Sequence, residues 1–454
     1  MPTEVTVGVD IGTTSVKAIA VDGDGRVVAS RRVPHRLLSA HAGELAHDAA
    51  QAWHQGVRTA LDGVMADGGL EVGGLEVKAV DVAAMVPSLC AVGPDGVPIS
   101  EGMLYGDARG AVAPEDGDVA ADPSQSGELV RFLAWLVEHH PDAAGYWPAQ
   151  GVANAALCGQ GAIDTTVAMT TLPLFDFHGW DAAVAAGAGL ADPSKLPRIV
   201  VGSEPVGTVA AAGGALLGGG TIDALGEQLV AGADQDGDVL VILGSTLIVW
   251  AVIPEWREAP GLWTVPHTAA GKSLIGGPSN AGGLFLNWAD RLLGGGRGAA
   301  ACDVHRVPVW QPYLRGERVP FHDPARRASL HDLDIGMDAA AARRAAYEAS
   351  GFATRHLLDL GQVEARRIVA TGGGVRDPAW VQAVADATGL PVDVVAVPEG
   401  GALGAAWLAR GVAGLEPPGA TGEAWARTDH RVEPDPRAEA PVAQRYARYR
   451  ELAG

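Results

Sequence analysis

Residues 5–22, VTVGVDIGTTSVKAIAVD, restrict the fold more than any other stretch of the chain. Two β-branched apolar runs flank a tight Asp10-Ile11-Gly12-Thr13-Thr14 turn, and a second turn, Asp22-Gly23-Asp24-Gly25, leads into Arg26-Val27-Val28-Ala29-Ser30. Period and composition predict three antiparallel strands. The first tip offers a carboxylate, two hydroxyls and a glycine-exposed backbone. Such a tip can hold Mg2+ through Asp10 and receive phosphate oxygens on backbone N–H groups and on Thr13 and Thr14. An ordinary hairpin with polar turn residues has the same composition, so the tip alone decides nothing.

The chain then repeats the device. Residues 238–252, DVLVILGSTLIVWAV, give a strand, a Gly244-Ser245-Thr246 tip and another strand. Two such units predict a duplicated architecture with the tips facing each other across a cleft. Near the end, the apolar run Ile368-Val369-Ala370-Thr371 enters Gly372-Gly373-Gly374, followed by a predicted helix from Pro378 to Thr388. In this order the three segments resemble the FGGY carbohydrate kinases, members of the actin-like ATPase superfamily, over residues 5 to 415. The resemblance implies an α/β fold of two ribonuclease-H-like lobes around a central cleft. It also implies ATP and Mg2+ as cofactors and phosphorylation of a small sugar or polyol.

The length of 454 residues exceeds one core at ~150 residues per domain. The expected division is an N-terminal lobe over 1–235, carrying sugar, first phosphate tip and base, a nucleotide-binding lobe over 236–415, and a surface tail over 416–454 that is partly helical at Ala443 to Leu452. Helices are predicted over Glu44 to Asp67, Glu128 to His139 and Ala339 to Leu360, and a buried strand over Val77 to Val86. Gly213 to Gly220 reads as a flexible hinge segment. Net charge is −21, from 33 basic and 54 acidic residues with no Lys/Arg block, which excludes nucleic acid and anionic membranes as partners. Anionic ATP must therefore be held by local donors and Mg2+.

Cys90, Cys158 and Cys302 are too widely spaced for a disulfide framework or a zinc site. A strand begins within a few residues of the N-terminus, which leaves no room for a signal peptide, and no apolar run approaches the ~20 residues of a membrane span. The expectation is a cytoplasmic protein. Its oligomeric state stays open, a homodimer among the options.

Phosphoryl transfer needs an acceptor hydroxyl in line, a base for its proton and neutralisation of charge. The base candidate is Asp223, in Gly219-Gly220-Thr221-Ile222-Asp223-Ala224. In the resembled family the catalytic aspartate sits at this spacing, where a helix N-terminus keeps the carboxylate ionised; a plain N-cap aspartate would look alike. The resemblance assigns Asp10 to Mg2+, Thr13, Thr14, Gly244, Ser245 and Thr246 to phosphate, and Gly372, Gly373 and Gly374 to the adenosine. Pro398 to Gly404 would form a second glycine-rich edge there, with Asn280 and Asn287 lining the same pocket. Lys17 is the only lysine near either tip.

For the sugar, Met103 to Gly110 (MLYGDARG) resembles the family's aromatic-x-Asp-x-Arg segment. Asp107 would accept hydroxyl hydrogen bonds, Arg109 would donate them, and Tyr105 stands where many relatives have tryptophan. An alternative is a surface turn carrying an Asp–Arg ion pair. One departure bears on specificity: relatives acting on xylulose place a Gln-Met-His-like stretch where this chain reads Met85-Val86-Pro87-Ser88-Leu89-Cys90. Ser88 is left as a substrate contact, and Asp164 and Thr165 match the family's segment near the sugar. Arg315, Glu317 and Arg318 receive a structural role in the second lobe. Gly271-Lys272-Ser273 is no Walker A motif, because Pro266 stands at the required first glycine. A ketopentose, xylulose or ribulose, comes first as acceptor. The alternatives are another polyol or hexulose, such as glycerol or erythritol, and a non-catalytic nucleotide- or sugar-binding relative.

Overall fold

Alternation of β-branched residues builds the first sheet. Strand β1 (Thr3–Ile11) pairs antiparallel with β2 (Ser15–Val21), and β2 with β3 (Val27–Pro34). The computed structural model describes residues 2–39, 44–71, 74–110, 128–267, 271–295, 302–417 and 420–453. The larger elements that follow are α1 (Gly56–Glu71), β4 (Leu75–Ala84), α2 (Glu128–His139), α3 (Ala149–Cys158), β5 (Gly207–Val209), β6 (Ala215–Leu217), β7 (Thr221–Ile222) and α4 (Asp223–Ala231). Next come β8 (Asp238–Leu243), β9 (Leu247–Ile253), β10 (Trp263–Pro266), β11 (Ser273–Ser279), α5 (Gly283–Leu292), α6 (Ala339–Leu360) and β12 (Arg367–Thr371). The chain ends through α7 (Pro378–Thr388), β13 (Val392–Val395), α8 (Gly400–Val412), β14 (Thr428–Val432) and α9 (Glu439–Ala453).

Two compact units result. One holds the described residues up to Val230 together with Glu399–Trp425; the other holds Ala231–Pro398 and Ala426–Gly454. In the first, the sheet order is β5-β6-β4-β1-β2-β3, with β7 also pairing β4. The period of two sorts the faces of β1. Val5, Val7, Val9 and Ile11 are buried in one core with Ala60 and Leu61 of α1 and Val152 of α3. Thr6, Gly8 and Asp10 turn to the opposite face, where α8 lies.

Helix α8 lies with the first unit, whereas the sequence places residues up to 415 in the nucleotide-binding half. The reason is steric fit. A Cβ on Gly8 would stand 1.8 Å from the carbonyl oxygen of Ala402, and one on Gly404 2.0 Å from that of Gly226 in α4. Glycines on β1, α4 and α8 thus let three backbones approach where side chains would collide. The Thr6 hydroxyl donates to the Ala406 carbonyl across the same seam at 2.8 Å. Residues Gly400 to Trp407 are all buried, so the first two turns of α8 are apolar on every side because they are enclosed on every side.

The second unit has the order β10-β11-β9-β8-β12-β13-β14, again an antiparallel group joined to parallel strands. Helices α6 and α7 bury Ala345, Tyr347, Ala349, Val381 and Val384 in its core. The expected surface tail is instead structural. Strand β14 extends the sheet beside β13, and α9 buries Val442, Tyr446 and Tyr449. Arg445 of α9 grips both oxygens of fully buried Glu348 in α6, each at 2.7 Å, so two buried charges satisfy one another. The helix expected over 44–67 also begins later. Ala46–His47 forms a short strand against Leu37–Leu38 and Gly102–Leu104, and a π-helical turn at Ala50–Gln55 precedes α1.

Two outcomes follow from this packing. Gly404→Ala forces its Cβ into the α4 backbone and is expected to lower the unfolding free energy by about 1–3 kcal/mol in a urea titration. Glu317, enclosed in the second unit, accepts from Ser279 Oγ (2.9 Å) and from the backbone N–H groups of Asn280 (2.8 Å) and Arg318 (2.7 Å). Burial nevertheless pushes its carboxyl from 4.5 up to about 7. Between those values the folded protein keeps a proton that the unfolded chain has released, so the Glu317 contribution to stability is full below about pH 4.5 and is lost as pH rises towards about 7. The loss is on the order of 3 kcal/mol. Glu317→Gln should flatten the fall in melting temperature between pH 5 and pH 8; an unchanged slope would contradict the assignment.

Candidate active site

Parallel strands deliver their C-terminal ends to one edge of a sheet, and that edge is where α/β proteins build sites. In the first unit β4 sets the level. Its Ala84 pairs with Ile11 of β1 on one side and with Ile222 of β7 on the other. The next residues along, Gly12 and Asp223, therefore leave the sheet at the same height, two strand spacings or ~10 Å apart. The first phosphate tip and the base candidate share one edge. Asp223 is half-buried, is the first residue of α4, and its Oδ1 lies 2.7 Å from the Ala224 N–H.

Asp10, buried on the α8 face of β1, pairs across the hairpin with Lys17, whose ammonium stands 3.4 Å from Oδ2. The N-terminal turn of α8 closes on the same carboxylate, since a Cβ on Gly401 would stand 3.1 Å from it. The Lys17 ammonium and the positive end of the α8 dipole therefore both stand at this carboxylate. Among the described residues no group of three His, Cys, Asp or Glu could hold a metal. One carboxylate is nevertheless the donor set that Mg2+ uses when water and phosphate oxygens complete its shell, so the residues fit that ion.

The tip is held from beneath by groups that sequence reasoning missed. His47 is fully buried; its Nε2 lies 2.9 Å from the Thr13 carbonyl and its Nδ1 accepts from Trp53 Nε1 at 3.0 Å. Burial, with His35 adding to it, pushes His47 down to about 4. The ring is therefore neutral, and the bond from Trp53 assigns its one N–H to Nε2, which donates to Thr13. The backbone N–H of His35 donates to the Thr14 carbonyl at 3.0 Å. No local pattern announces this support, because His47 lies 34 residues from Thr13.

The structure brings one sugar-segment residue to the tip: the Tyr105 hydroxyl is 3.3 Å from that of Thr13. Asp107 is corrected. It is buried, and its two oxygens already take four donors: the N–H of Leu45 (2.7 Å), the N–H of Arg109 (2.9 Å), Arg109 Nε (2.9 Å) and Arg109 Nη2 (2.7 Å). A carboxylate has about four acceptor sites, so none remains for a sugar hydroxyl. Nor is this the surface turn of the alternative reading, since the pair ties the 105–109 segment to Leu45. Arg109 also faces Glu101 at 3.5 Å and lies over the Trp135 ring. Ser88 is likewise buried, its hydroxyl accepting from the Ala149 N–H at 3.2 Å. Asp164 caps Thr166 (2.7 Å) and binds the Gly202 N–H (2.8 Å).

In the second unit, β8 and β12 are parallel neighbours, with Ile242 opposite Thr371. The Gly244–Thr246 tip and Gly372–Gly374 thus leave one sheet edge a single strand spacing apart, ~5 Å. The first N–H groups of α5 are taken by the tip itself, Gly283 donating to the Gly244 carbonyl and Leu284 to that of Ser245, both at 2.9 Å. Gly372 has φ +86° and its Cβ would press on the Leu243 carbonyl at 3.0 Å, while a Cβ on Gly374 would meet Trp380 at 2.3 Å. Packing requires those two glycines; only Gly373 is open, with Arg376 Nη1 its nearest neighbour at 3.9 Å. Asn280 donates its side-chain amide to the Gly316 carbonyl at 2.9 Å, so it braces the 315–317 loop. Gly400 to Gly404, expected at the adenosine edge, belong to α8 and the first unit.

Similarity to known proteins extends over nearly the whole chain. The chain is 30% identical to the xylulose kinase of Streptomyces rubiginosus, over 92% of this chain and 90% of that protein. It is 27% identical to the glycerol kinase of Allorhizobium ampelinum, over 94% of each. The crystal structure of xylulose kinase from Rhodospirillum rubrum superposes with a TM-score of 0.76 at 26% identity, over 99% of this chain and 98% of that one. Among the described residues no helix is long and apolar enough to cross a membrane. Residues 5–116 match the N-terminal domain, and residues 279–411 the C-terminal domain, of one family, so the chain belongs to the FGGY family of carbohydrate kinases, enzymes of actin-like ATPase fold that phosphorylate sugars with ATP.

Proposed function

We propose that the protein transfers the γ-phosphoryl group of ATP to a terminal hydroxyl of a ketopentose, with xylulose ahead of ribulose, and that Asp223 is the general base. The observation that carries the reading is the shared height of Gly12 and Asp223 on either side of β4. A base within one sheet edge of a phosphate-gripping tip is what in-line displacement on an alcohol requires. Asp223 takes the proton as the hydroxyl oxygen attacks phosphorus and ADP leaves. Thr13 and Thr14 bind phosphate oxygens through hydroxyl and backbone N–H groups; Gly244, Ser245 and Thr246 are likewise phosphate-binding residues. Gly373 receives the adenosine. Mg2+ held through Asp10 would neutralise charge on the β- and γ-phosphates.

For the acceptor, Tyr105 and Arg109 supply donors, and Asp107 acts by fixing Arg109. Xylulose is preferred because relatives matched over nearly their whole length carry that name. The second reading, a small polyol, is favoured by the apolar Met85-Val86-Pro87 at the end of β4 and by the exhausted acceptors of Asp107. Both remove partners that a pentulose would use.

ADP release measured with xylulose, ribulose, glycerol and erythritol tests the acceptor. The expected order of kcat/KM places xylulose first; glycerol or erythritol in first place would replace the ketopentose with the polyol. Asp223→Asn should lower kcat by about 10³-fold or more and leave KM for ATP within about twofold, because it removes the base and not the nucleotide contacts. Sugar phosphorylation at an undiminished rate in that variant would remove Asp223 from the role.

A further inference from the structure

The strand that delivers Asp223 does not run straight. Leu216 and Leu217 of β6 pair with Ala79 and Val80 of β4, and Thr221 and Ile222 of β7 with Ala83 and Ala84. Between these pairings Gly218, Gly219 and Gly220 stand opposite only Asp81 and Val82, so the run carries one residue in excess. This is a bulge in a parallel ladder. Because side chains alternate with period two, one extra residue reverses the face on which every later side chain emerges. The orientation of Asp223 depends on that residue being retained.

Three buried polar side chains hold the bulge. The Gly220 N–H donates to Asp81 Oδ1 at 2.8 Å. Gln150 Nε2 donates to the carbonyls of Thr221 (3.0 Å) and Ala84 (3.1 Å), tying β7 to the end of β4. Asn154 Nδ2, one turn along α3, donates to the carbonyls of Gly219 (3.2 Å) and Ala162 (2.8 Å). The Gly219 carbonyl also accepts from the Asp164 N–H at 2.9 Å. Gly220 has φ +90°, and a Cβ there would press on Gln150 Cβ at 3.1 Å. The expected flexible hinge is, over Gly218 to Gly220, a buried and multiply bonded segment.

These side chains are poor choices for stability alone. Gln150 and Asn154 are fully buried, and their carbonyl oxygens have no hydrogen-bond partner among the described residues. A buried acceptor without a partner is unfavourable, and an apolar residue of like volume would avoid it. Asp81 is similar, since burial pushes its carboxyl up to about 7, with Asp164 adding to the shift. What the three provide is donors and an acceptor for the backbone that leads into Asp223.

We infer that Asp81, Gln150 and Asn154 are positioning residues for the phosphoryl transfer, acting by fixing the Gly218–Gly220 bulge and so the aim of Asp223. The inference rests on the reading of Asp223 as the base. Misalignment of a reacting group by about 1 Å can cost about 10²-fold in rate without weakening substrate binding. Asp81→Ala and Gln150→Met should therefore lower kcat about 10- to 100-fold, with KM for sugar and for ATP within about twofold. Asp81→Asn keeps the Oδ1 acceptor for Gly220 and should keep kcat within about threefold. That split and that rescue separate positioning from a merely structural role, which would lower melting temperature and yield but not kcat per folded molecule.

Gln150→Met keeps the side-chain volume, so it carries the test where Asp81→Ala fails to fold. A folded Gln150→Met or Asp81→Ala enzyme with kcat within about twofold of wild type would overturn the inference. Asp223→Asn, assayed beside them, distinguishes the two failures. An inactive Asp223→Asn with fully active clamp variants leaves the base in place and removes the clamp. A fully active Asp223→Asn removes both.

Discussion

Strand β4 pairs in parallel on both sides, and the candidate site of the first unit depends on that fact. A parallel ladder fixes which residues leave the sheet together, because each hydrogen-bonded pair locks the height of its neighbours. With Ala84 between Ile11 and Ile222, neither Gly12 nor Asp223 can move along the sheet without breaking a pairing. The residues concerned are 211 apart in sequence, yet their relative height is set by backbone alone. Side chains then refine it: His47 under the Thr13 carbonyl, Gln150 under that of Thr221.

The closure of that unit by α8 shows how far the chain must travel to complete its own core. The face of β1 that carries Asp10 would be open to water without this helix, which arrives about 400 residues later. Its fit rests on missing atoms. Gly8, Gly226 and Gly404 cost backbone entropy in elements that would otherwise prefer larger residues, and the return is the close approach of three backbones. The same close approach brings the start of α8 to the Asp10 carboxylate, so one packing solution supplies both core and electrostatics.

What the sequence made legible was local. The hairpin at 5–22, the second tip at 244–246 and the helices 128–139, 339–360 and 378–388 are written in short-range period and turn residues, and they form as expected. The packing of α8 on the first unit was not legible, because a glycine in a strand does not state what approaches it. Asp107 was misread for a related reason: its donors come from Leu45 and from Arg109, and only the folded chain shows that they exhaust it. The tail at 416–454 read as surface because Pro, Ala, Glu and Arg dominate it. Yet Arg445 is drawn inward by Glu348, a partner 97 residues away. Hydrophobic period tells which face of an element is buried; it does not tell which polar group is satisfied.

Charge raises a last constraint. A protein of net charge −21 repels ATP at long range, so attraction must be generated within a few ångströms. Physiological salt confines the repulsion to about 8 Å, beyond which the surplus of carboxylates is largely screened. Inside that distance geometry matters more than the total. Lys17 and the start of α8 bear on Asp10, and the N–H groups of α5 are committed to the second tip, which they brace. On the proposed phosphate role of the tip, Asp10 would need a cation, since a carboxylate beside phosphate is unfavourable until an ion stands between them. Lys17 covers part of that charge in the structure, and a divalent ion arriving with the nucleotide would share the same carboxylate. If the tip and Asp10 have the roles proposed, nucleotide and metal binding would be coupled here through electrostatics.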